Sequence, residues 1–330
     1  MATADEVLGR AAPAPGFAPS NKSVVARSPW QHAWSRLRRD KVGIACSVFI
    51  FFLVAFAAAA PLFEAMTGHT LNKSNSTGTD DLTLLPVTPW HGCSSISSIG
   101  DQNCFVFGAS DSLGHDMLVQ LAYGARTSLF IGLVSTFFTM LIALTAGLAA
   151  GFYGGVVDGV LSRLMEIVAA FPFFLFAIVM SVTFGASTAT VITVIVFFSW
   201  YYAGRIFRAD VLSLREREFV LAARMLGASS GRILVRHVLP HLIGPLIVLA
   251  SLSIAAAIGF EAALSFLGFG LPIEVASWGR MIDQAVGGGL YRNAPHLMLF
   301  PGTLLMLTVL AFNLLGDSLR DALDPRGGGV

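Results

Sequence analysis

The chain has 330 residues, of which 55% are hydrophobic and 12% are charged, with a mean hydropathy of +0.72. Such an apolar composition excludes an ordinary soluble domain of this length. The net charge of +1 also argues against a nucleic-acid-binding protein, because those proteins concentrate a basic excess. We therefore expect an all-α integral membrane protein in a lipid bilayer.

The first 41 residues are predicted to precede the membrane core as a tail and a surface helix. Residues 1–28 are rich in Ala, Pro and Ser without periodicity, which is typical of a disordered segment. Residues 29–41 then alternate aromatic and basic side chains. This pattern favours an interfacial helix, with aromatic rings at the headgroups and cations near anionic lipid. The expected role of this helix is that of a simple membrane anchor.

Six apolar runs are long enough to cross a bilayer as helices, which takes about 17–25 residues each. In chain order, these predicted spans cover residues 42–61, 129–151, 167–185, 186–203, 242–260 and 297–315. A tight turn near 185–187 must separate the third span from the fourth. Pro172 and Pro301 fall within spans, where we expect them to kink the helices. The first span lies too far from the N-terminus to read as a removable signal peptide.

The distribution of Lys and Arg predicts the orientation of these spans, because cytoplasmic loops carry the excess of positive charge. With the N-terminus inside, 17 of the 21 Lys and Arg residues are cytoplasmic and four lie outside. The opposite orientation reverses this ratio. Both termini are therefore predicted to be cytoplasmic, including a short tail at 327–330.

Two segments on the predicted outer side are long enough to form structure of their own. The first, 62–127, contains Cys93 and Cys104 in a polar stretch. Because disulfides persist outside the cytoplasm, we expect a bond between these cysteines, and two unpaired thiols are the alternative. The second segment, 262–296, carries a run of three glycines and is too long for a hairpin turn. We interpret it as a re-entrant or scoop-like element, with a surface loop as the alternative.

The sequence contains no recognisable pattern of an active site. It has no phosphate-binding loop of the GxxxxGK[ST] type, no nucleophile elbow and no Cys or His residues at metal-ligand spacing. We therefore expect no catalytic residue, metal ligand or cofactor in this chain. Charges are also rare in the predicted spans. Glu261 and Asp317 fall just past the ends of the fifth and sixth spans and are interpreted as snorkelling or capping groups, which argues against ion-driven transport.

An arginine-rich stretch between the fourth and fifth spans is the candidate functional element. Residues 211–226 are predicted to form an amphipathic helix with one apolar stripe. The stripe consists of Phe219, Ala222, Ala223 and Leu226. Gly227 can end this helix through a positive φ, and a second helical piece is expected to end at Leu239 and Pro240. These coupling helices (211–240) suggest docking of a cytoplasmic partner, and a surface helix that packs only on headgroups is the alternative.

The coupling helices resemble the cytoplasmic EAA loop of ABC-importer permeases, whose pattern is EAA, three residues, Gly and then Leu-Pro about a dozen residues on. The residues that match at the right spacing are Ala222, Ala223, Gly227, Leu239 and Pro240. Leu221 stands in the place of the motif's glutamate, and His237 in the place of its isoleucine. Glu218, one turn earlier, is the candidate substitute for the glutamate.

Further stretches are similar to peptide-importer permeases in particular. ASDSLGHD at 109–116, followed by YGARTSL at 123–129, is similar to the GTDxxGRD…GARxSL signature of that family. The departures from it are Ala109, Ser110 and His115. Near the C-terminus, 276–282 and 313–326 match the same family closely. The chain thus resembles, over residues 29–326, the C-type permeases of dipeptide and oligopeptide ABC importers, which have nickel and glutathione relatives.

The resemblance implies a fold, partners and a function. The fold is that of a type I ABC-importer permease with six transmembrane helices, whose core is 128–326. The implied partners are a homologous second permease, two ATPase subunits that bind ATP and Mg²⁺, and an extracytoplasmic substrate-binding protein, with no nucleic acid. The implied function is import of di- or oligopeptides by alternating access. A nickel-chelate or glutathione importer is the alternative, ahead of a secondary peptide carrier or a non-transporting scaffold subunit.

Three groups of site residues follow from the patterns and the resemblance. ATPase coupling is assigned to Glu218, Phe219, Ala222, Ala223, Arg224, Gly227, Leu239 and Pro240. Contact with the binding protein is assigned to Asp111, Asp116, Arg126, Trp278, Arg280 and Asp283. Of these, Asp111, Asp116 and Arg126 are expected to pair electrostatically within the outer layer, with substrate contact as the alternative. Pro172 and Asn313 are assigned to the translocation path, although Asn313 could instead hydrogen-bond a neighbouring helix.

Overall fold

A computed structural model describes residues 35–80, 85–93 and 103–323. Within these ranges the secondary structure is helical, apart from isolated antiparallel bridges. The helices are α1 (Lys41–Ala58), α2 (Ala60–Thr67), α3 (Met117–Tyr153), α4 (Gly155–Ala170), α5 (Phe173–Phe184), α6 (Thr188–Arg215), α7 (Glu218–Met225), α8 (Ser230–Ile233), α9 (Leu239–Phe266), α10 (Trp278–Gly287) and α11 (His296–Leu323). A π-helical turn, Leu234–Val238, joins α8 to α9. The predicted tails, 1–28 and 327–330, and part of the predicted interfacial helix, 29–34, lie outside the described residues.

The lengths and apolarity of these helices allow up to six membrane crossings. α1, α3, α6, α11 and the continuous helical path Ser230–Phe266 are each long and apolar enough to cross a membrane. α4 and α5 provide a sixth crossing if they are counted as one span, although they are bent by 83°. The prediction of an all-helical membrane protein is therefore confirmed.

The bend between α4 and α5 lies at Phe171 and Pro172. Phe171 is extended (φ −78°, ψ 136°), which is the conformation that a following proline favours. Pro172 then immediately precedes the first turn of α5. The kink predicted at Pro172 is therefore a complete break of the helix, whereas Pro301 lies inside the unbroken α11.

The longest helix, α3, begins well before the predicted second span. It starts at Met117 because the Asp116 carboxylate caps its first turn, accepting from the backbone N–H groups of Leu118 (2.8 Å) and Val119 (3.3 Å). Residues 117–127, predicted to belong to the extracytoplasmic loop, are therefore helical. With 37 residues, α3 reaches from the outer polar layer through the apolar core.

Two glycines one turn apart let α3 and α6 approach closely. A Cβ on Gly147 would lie 2.6 Å from the Cβ of Phe207, and a Cβ on Gly151 would lie 2.7 Å from the Cβ of Val211. Small residues at this spacing bring helix backbones together in a membrane, where dispersion contacts and interhelical hydrogen bonds drive association. α3 also packs against α1 and α9, so it is the central helix of the bundle.

The coupling helices differ from the prediction in two places. The predicted single helix 211–226 is broken, because α6 ends at Arg215 and α7 begins after an extended Arg217 (φ −74°, ψ 146°). The second piece does not end at Leu239 and Pro240, because the π-helical turn leads directly into α9. Proline is tolerated at the start of an α-helical segment, where its missing N–H removes no intrahelical bond.

Candidate functional site

One side of α7 is anchored to the membrane helices. Val220 and Ala223 are buried in an apolar cluster with Phe152 of α3 and Ile233 of α8. The predicted apolar stripe of α7 is therefore not its buried face, since Ala223 is the only buried member of the stripe. The buried face of α7 consists of Val220 and Ala223.

The remaining surface of α7 exposes four apolar side chains beside Glu218, Ala222 and Arg224. Met225 and Leu226 are 88% and 87% exposed, and Phe219 and Leu221 are also on the surface. We name these four residues the α7 apolar face. Phe219 stacks on His241 of α9 with ring centroids 5.1 Å apart. Clustered exposed apolar side chains of this kind mark a surface that contacts another protein or a membrane.

Gly227 ends α7 in a left-handed conformation (φ 78°). Its N–H donates to the carbonyl of Arg224 (3.0 Å), and the N–H of Ala228 donates to the carbonyl of Ala223 (3.1 Å). A Cβ built on Gly227 would meet no heavy atom within 4 Å. Glycine is therefore required here by the backbone conformation and not by a lack of space.

The other predicted coupling residues lie at the same end of the bundle, which we call the inner end. Glu218 and Ala222 are exposed on α7. The Arg224 guanidinium lies 5.9 Å from the centre of the Phe152 ring. Leu239 is half-buried and Pro240 is exposed at the start of α9. The structure thus places all eight predicted coupling residues on α7, on the turn after it or on the first turn of α9.

Two arginines of the inner end bind within the chain. Arg208 of α6 forms a bidentate ion pair with Asp158 of α4, in which Nη2 donates to Oδ2 over 2.6 Å and Nε donates to Oδ1. Arg215 donates from Nη1 to the carbonyl of Gly151 (3.2 Å). Bidentate arginine–carboxylate pairs are strong and geometrically specific. These two arginines therefore stiffen the contact of α6 with α3 and α4.

At the opposite end, which we call the outer end, Asp116 is paired with a histidine. Its Oδ2 lies 2.8 Å from Nδ1 of His69, and both side chains are buried. The imidazole of His69 also stacks on Phe105, with ring centroids 4.5 Å apart. Asp116 thus joins the polar outer layer to the first turn of α3.

Asp111 is likewise paired with a histidine, since its Oδ2 lies 2.6 Å from Nδ1 of His115. Burial alone would raise the pKa of the Asp111 carboxyl, but the side-chain hydrogen bond and charge of His115, together with backbone hydrogen bonds from His115 and Leu113, outweigh it and hold that pKa below its ordinary value. The same hydrogen bond raises the pKa of His115 against a smaller opposing effect of burial. The expected pairing of the two aspartates with Arg126 is therefore wrong, because a nearer histidine takes each carboxylate and Arg126 is exposed on α3.

A disulfide joins Cys93 and Cys104 at the outer end. Beside it, the N–H of Trp90 donates to the carbonyl of Val106 (3.0 Å), and His91 bridges to Phe105. Phe105 is fully buried. Since Phe105 also stacks on His69, the disulfide-closed hairpin is tied to the Asp116 pair. The loop that it closes, 94–102, lies outside the described residues.

The segment predicted as a scoop contains a short helix, α10, that packs into the bundle. Trp278 at its start is fully buried and donates from Nε1 to the carbonyl of Leu121 (3.2 Å). Arg280 donates from Nη1 to the carbonyl of Leu271 (2.8 Å) and, like Asp283, is half-buried. The predicted outer residues therefore do not form one surface: Asp116 and Trp278 are inside, and Arg126 is exposed.

Sequence reasoning misplaced Glu261. α9 runs to Phe266, so this glutamate lies inside a membrane-spanning helix and not beyond its end. Its side chain is fully buried and accepts hydrogen bonds from Ser277 (2.6 Å), Ser128 (2.9 Å) and Ser265 (2.9 Å). The interpretation as a snorkelling or capping group is therefore wrong, because three serine hydroxyls satisfy the carboxylate inside the protein. The signal in the sequence was the apolar run that continues past Glu261.

The two residues assigned to the translocation path lie in different parts of the bundle. Pro172 is exposed at the break between α4 and α5, and Asn313 is half-buried in α11. A cavity of about 100 Å³ lies beside the break. Its aromatic lining consists of Phe171, Phe173, Phe198, Tyr201 and Phe260. In the described ranges, no group of three or more His, Cys, Asp or Glu side chains could hold a metal ion.

Two family descriptions match the chain. Residues 143–327 match "Binding-protein-dependent transport system inner membrane component". Residues 28–83 match "N-terminal TM domain of oligopeptide transport permease C". The first match includes α7 and Gly227, and the second includes α1.

Known relatives are similar over nearly the whole length. The dipeptide transport system permease protein DppC of Alkalihalophilus pseudofirmus is 35% identical over 314 residues, which cover 95% of each chain. The glutathione transport system permease protein GsiD of Pectobacterium atrosepticum is 36% identical over 306 residues, 93% of each chain. The oligopeptide transport system permease protein OppC of Escherichia coli K12 is 34% identical over 303 residues, 92% of this chain and 93% of that protein.

A solved structure of the MetNI methionine ABC transporter, in an inward-facing conformation, has a similar fold. It superposes with a TM-score of 0.51 and 20% identity, over 63% of this chain and 98% of that one. At this identity the likeness concerns the fold alone. The family match over more than half of the chain and the relatives above 30% identity decide the family. The chain belongs to the binding-protein-dependent ABC-importer permeases of the OppC/DppC type, as a multi-pass component of the bacterial inner membrane that is not itself an ATPase.

Proposed function

We propose that the chain is the C-type permease subunit of an ATP-driven importer of di- or oligopeptides. It pairs with a homologous second permease. Two ATPase subunits, which bind ATP and Mg²⁺, dock on the inner end, and a substrate-binding protein delivers the peptide to the outer end. Of the predicted outer residues, Arg126 is exposed and Asp111, Arg280 and Asp283 are half-exposed, so these four remain accessible to that protein.

The α7 apolar face carries this proposal. A short helix that buries Val220 and Ala223 on one side and exposes Met225 and Leu226 on the other is held firmly while offering a hydrophobic contact. We propose that the exposed apolar side chains of α7 bind in a groove on an ATPase subunit. The neighbouring charges, Glu218 and Arg224, are exposed on the same helix.

The proposed mechanism is a population shift between inward-facing and outward-facing states. ATP binding closes the ATPase pair and moves α7, and its counterpart in the second permease, with it. Because α7 packs on α3 and α8, and α8 continues into α9, that movement reaches the spans that enclose the path. Pro172 and Asn313 are proposed to lie on this path, and the break at Pro172 permits α5 to move separately from α4.

Relatives support peptides as the substrate class, since DppC and OppC proteins share 34–35% identity with this chain. Glutathione, itself a tripeptide, is the second candidate, because GsiD is 36% identical over a similar length. The identities do not separate these two substrates. Uptake of labelled dipeptides, oligopeptides and glutathione into proteoliposomes that contain the full transporter distinguishes them directly.

Gly227→Val tests the coupling role. The substitution should strain the left-handed turn after α7 by about 1–2 kcal/mol without a steric clash. We expect the complex to assemble and hydrolyse ATP, with peptide uptake reduced about tenfold or more, because α7 no longer holds its position. The measurement is ATP hydrolysis and peptide uptake in the same proteoliposomes.

Gly231→Val is the matched control. Gly231 lies four residues further on, also meets no atom within 4 Å of a built Cβ, and does not have a positive φ. The Gly231→Val substitution should therefore leave the ratio of peptide uptake to ATP hydrolysis near that of the wild type. Normal uptake by the Gly227→Val transporter would contradict the coupling role of α7.

A further inference from the structure

The hydroxyl-lined carboxylate of Glu261 joins three elements at the outer end. Ser128 belongs to α3, Ser265 lies one turn after Glu261 in α9, and Ser277 precedes the first residue of α10. All three hydroxyls donate to it, Ser128 to Oε2 and the other two to Oε1. Glu261 is 0% exposed, and the three serines are also buried.

The three hydroxyls satisfy most of the hydrogen-bonding capacity of the Glu261 side chain. Its two oxygens offer about four acceptor positions, and three serine O–H groups fill most of them. Among the described residues, Glu261 makes no salt bridge. Burying such a group is costly unless hydrogen bonds satisfy it. An apolar residue would fill the same space at no such cost, so the carboxylate points to a role beyond packing.

The backbone at the start of α10 is closely packed on the same turn of α9. A Cβ on Gly279 would lie 2.2 Å from the carbonyl oxygen of Ala262. On the other side, the buried Trp278 donates to the Leu121 carbonyl of α3. The start of α10 is thus fixed to α3 and α9 at one level, with Glu261 at the centre. We name Glu261, Ser128, Ser265 and Ser277 the outer hub.

The outer hub connects an exposed loop to the inner end. The loop that enters α10 exposes Ile273 and Glu274 a few residues before Ser277. From the hub, one continuous helical path, Ser230–Phe266, returns to the inner end. There His241 stacks on Phe219 of α7. Any displacement of α10 against α9 is therefore applied to the same helix that contacts α7.

We propose that Glu261 is a positioning residue that transmits docking of the binding protein on the 267–277 loop to the coupling helices. This inference rests on the proposed function, because it requires a binding protein outside and an ATPase inside. The step is mechanical. Docking displaces the start of α10, and because Ser277 and Ser128 are both hydrogen-bonded to the Glu261 carboxylate, α9 and α3 move with it. Loss of those bonds uncouples the two ends while each end keeps its own contacts.

The test compares basal and stimulated ATP hydrolysis by the complete transporter in lipid nanodiscs. The stimulus is a saturating amount of the binding protein loaded with trialanine. Glu261→Met keeps a side chain of similar length but has no oxygen, so all three serine hydroxyls lose their acceptor. We expect basal hydrolysis near that of the wild type and a stimulated increment reduced about tenfold, a size typical of coupling between two sites.

Two serine variants form the matched control. Ser265→Ala and Ser277→Ala each remove one donor to the same Oε1 atom. Ser265 lies in the same helix as Glu261, whereas Ser277 belongs to the segment that enters α10. We expect Ser277→Ala to reduce stimulation as Glu261→Met does, and Ser265→Ala to leave it near the wild-type value.

The outcomes are separable. Equal effects of the two serine variants, or normal stimulation of Glu261→Met, would overturn the positioning role. A parallel fall of basal rate, stimulated rate and melting temperature would also overturn it, because that result describes a residue needed only for folding. Absence of any stimulation, or of any ATPase partner, in the wild-type complex would instead overturn the proposed function.

Discussion

Asp111 and His115 show how burial and ion pairing oppose each other at a single pair of side chains. Removal from water favours the neutral form of the carboxyl, and the imidazolium 2.6 Å away favours the charged form. The charged form prevails, and Oδ1 of Asp111 also accepts from the N–H groups of Leu113 (3.0 Å) and His115 (3.2 Å). One carboxylate therefore closes the turn that precedes the cap of α3.

The pair predicts a window of pH in which this turn is most stable. The lowered pKa of Asp111 contributes stability that is present above its unfolded value of 3.8 and lost as pH falls through the folded pKa. The raised pKa of His115 contributes stability that is present below its unfolded value of 6.5 and lost as pH rises through the folded pKa. The two contributions overlap between those limits.

His115→Gln removes the charge and should lower the melting temperature most within that window. The difference from wild type should shrink as pH rises past the raised His115 pKa, which a series of thermal melts in detergent can measure. His91→Gln, the same change at an exposed residue of the outer end, is the control. A difference from wild type that does not depend on pH would contradict the ion pair.

Single residues also mark where sequence reasoning succeeds and where it fails. The positive φ of Gly227 follows from its position after an amphipathic helix, because few other residues adopt that conformation. The burial of Glu261 does not follow, since its three partners lie on segments far apart in the chain, up to 133 residues away. Local patterns predict backbone geometry well, whereas the partners of a buried polar group depend on tertiary contacts.

At the scale of elements, helix termini and helix breaks account for the differences between prediction and structure. The apolar runs indicate where the spans lie, but they do not show where the helices begin and end. The Asp116 cap extends α3 into the outer layer, and a π-helical turn joins α8 to α9 so that the helix continues past Leu239 and Pro240. Neither a cap nor a π-helical turn changes the hydropathy of a segment. The contacts between helices could not be predicted from the sequence either, because Gly147 and Gly151 are only two small residues in an apolar run.

The α3–α6 contact predicts opposite effects of one substitution at two glycines. Gly→Ala within a helix stabilises by about 1 kcal/mol through helix propensity. At Gly159 of α4, where a Cβ meets no atom within 4 Å, we expect that gain and a higher melting temperature. At Gly147, the Cβ would lie 2.6 Å from Phe207 Cβ and 2.9 Å from the Gly204 carbonyl oxygen. We expect overpacking to cost about 1–3 kcal/mol and to lower the melting temperature.

Thermal melts of the two alanine variants in the same detergent check this prediction. The sign of the change in melting temperature distinguishes the two sites, because both variants gain the same helix propensity. A stabilised Gly147→Ala variant would mean that α3 and α6 are not in close contact at this turn.

At the scale of the whole molecule, the two ends of the bundle differ in chemistry. The outer end contains a disulfide, two histidine–aspartate pairs and the half-buried α10. The inner end has the α7 apolar face and the Asp158–Arg208 ion pair. A disulfide requires an oxidising compartment, and the excess of Lys and Arg requires the cytoplasm. The two criteria are independent and give the same orientation.

This orientation predicts which cysteine variants an impermeant thiol reagent can reach from each side. Met225→Cys, at the exposed α7 apolar face, should react in inverted vesicles stripped of peripheral subunits and remain unlabelled in right-side-out vesicles. Ile273→Cys, at a site that is 70% exposed at the outer end, should show the reverse. The wild-type background is low because Cys46 is buried and the other two cysteines form the disulfide. Labelling of Met225→Cys in right-side-out vesicles would mean that the bundle has the opposite orientation. The α7 apolar face would then lie beyond the reach of any cytoplasmic ATPase.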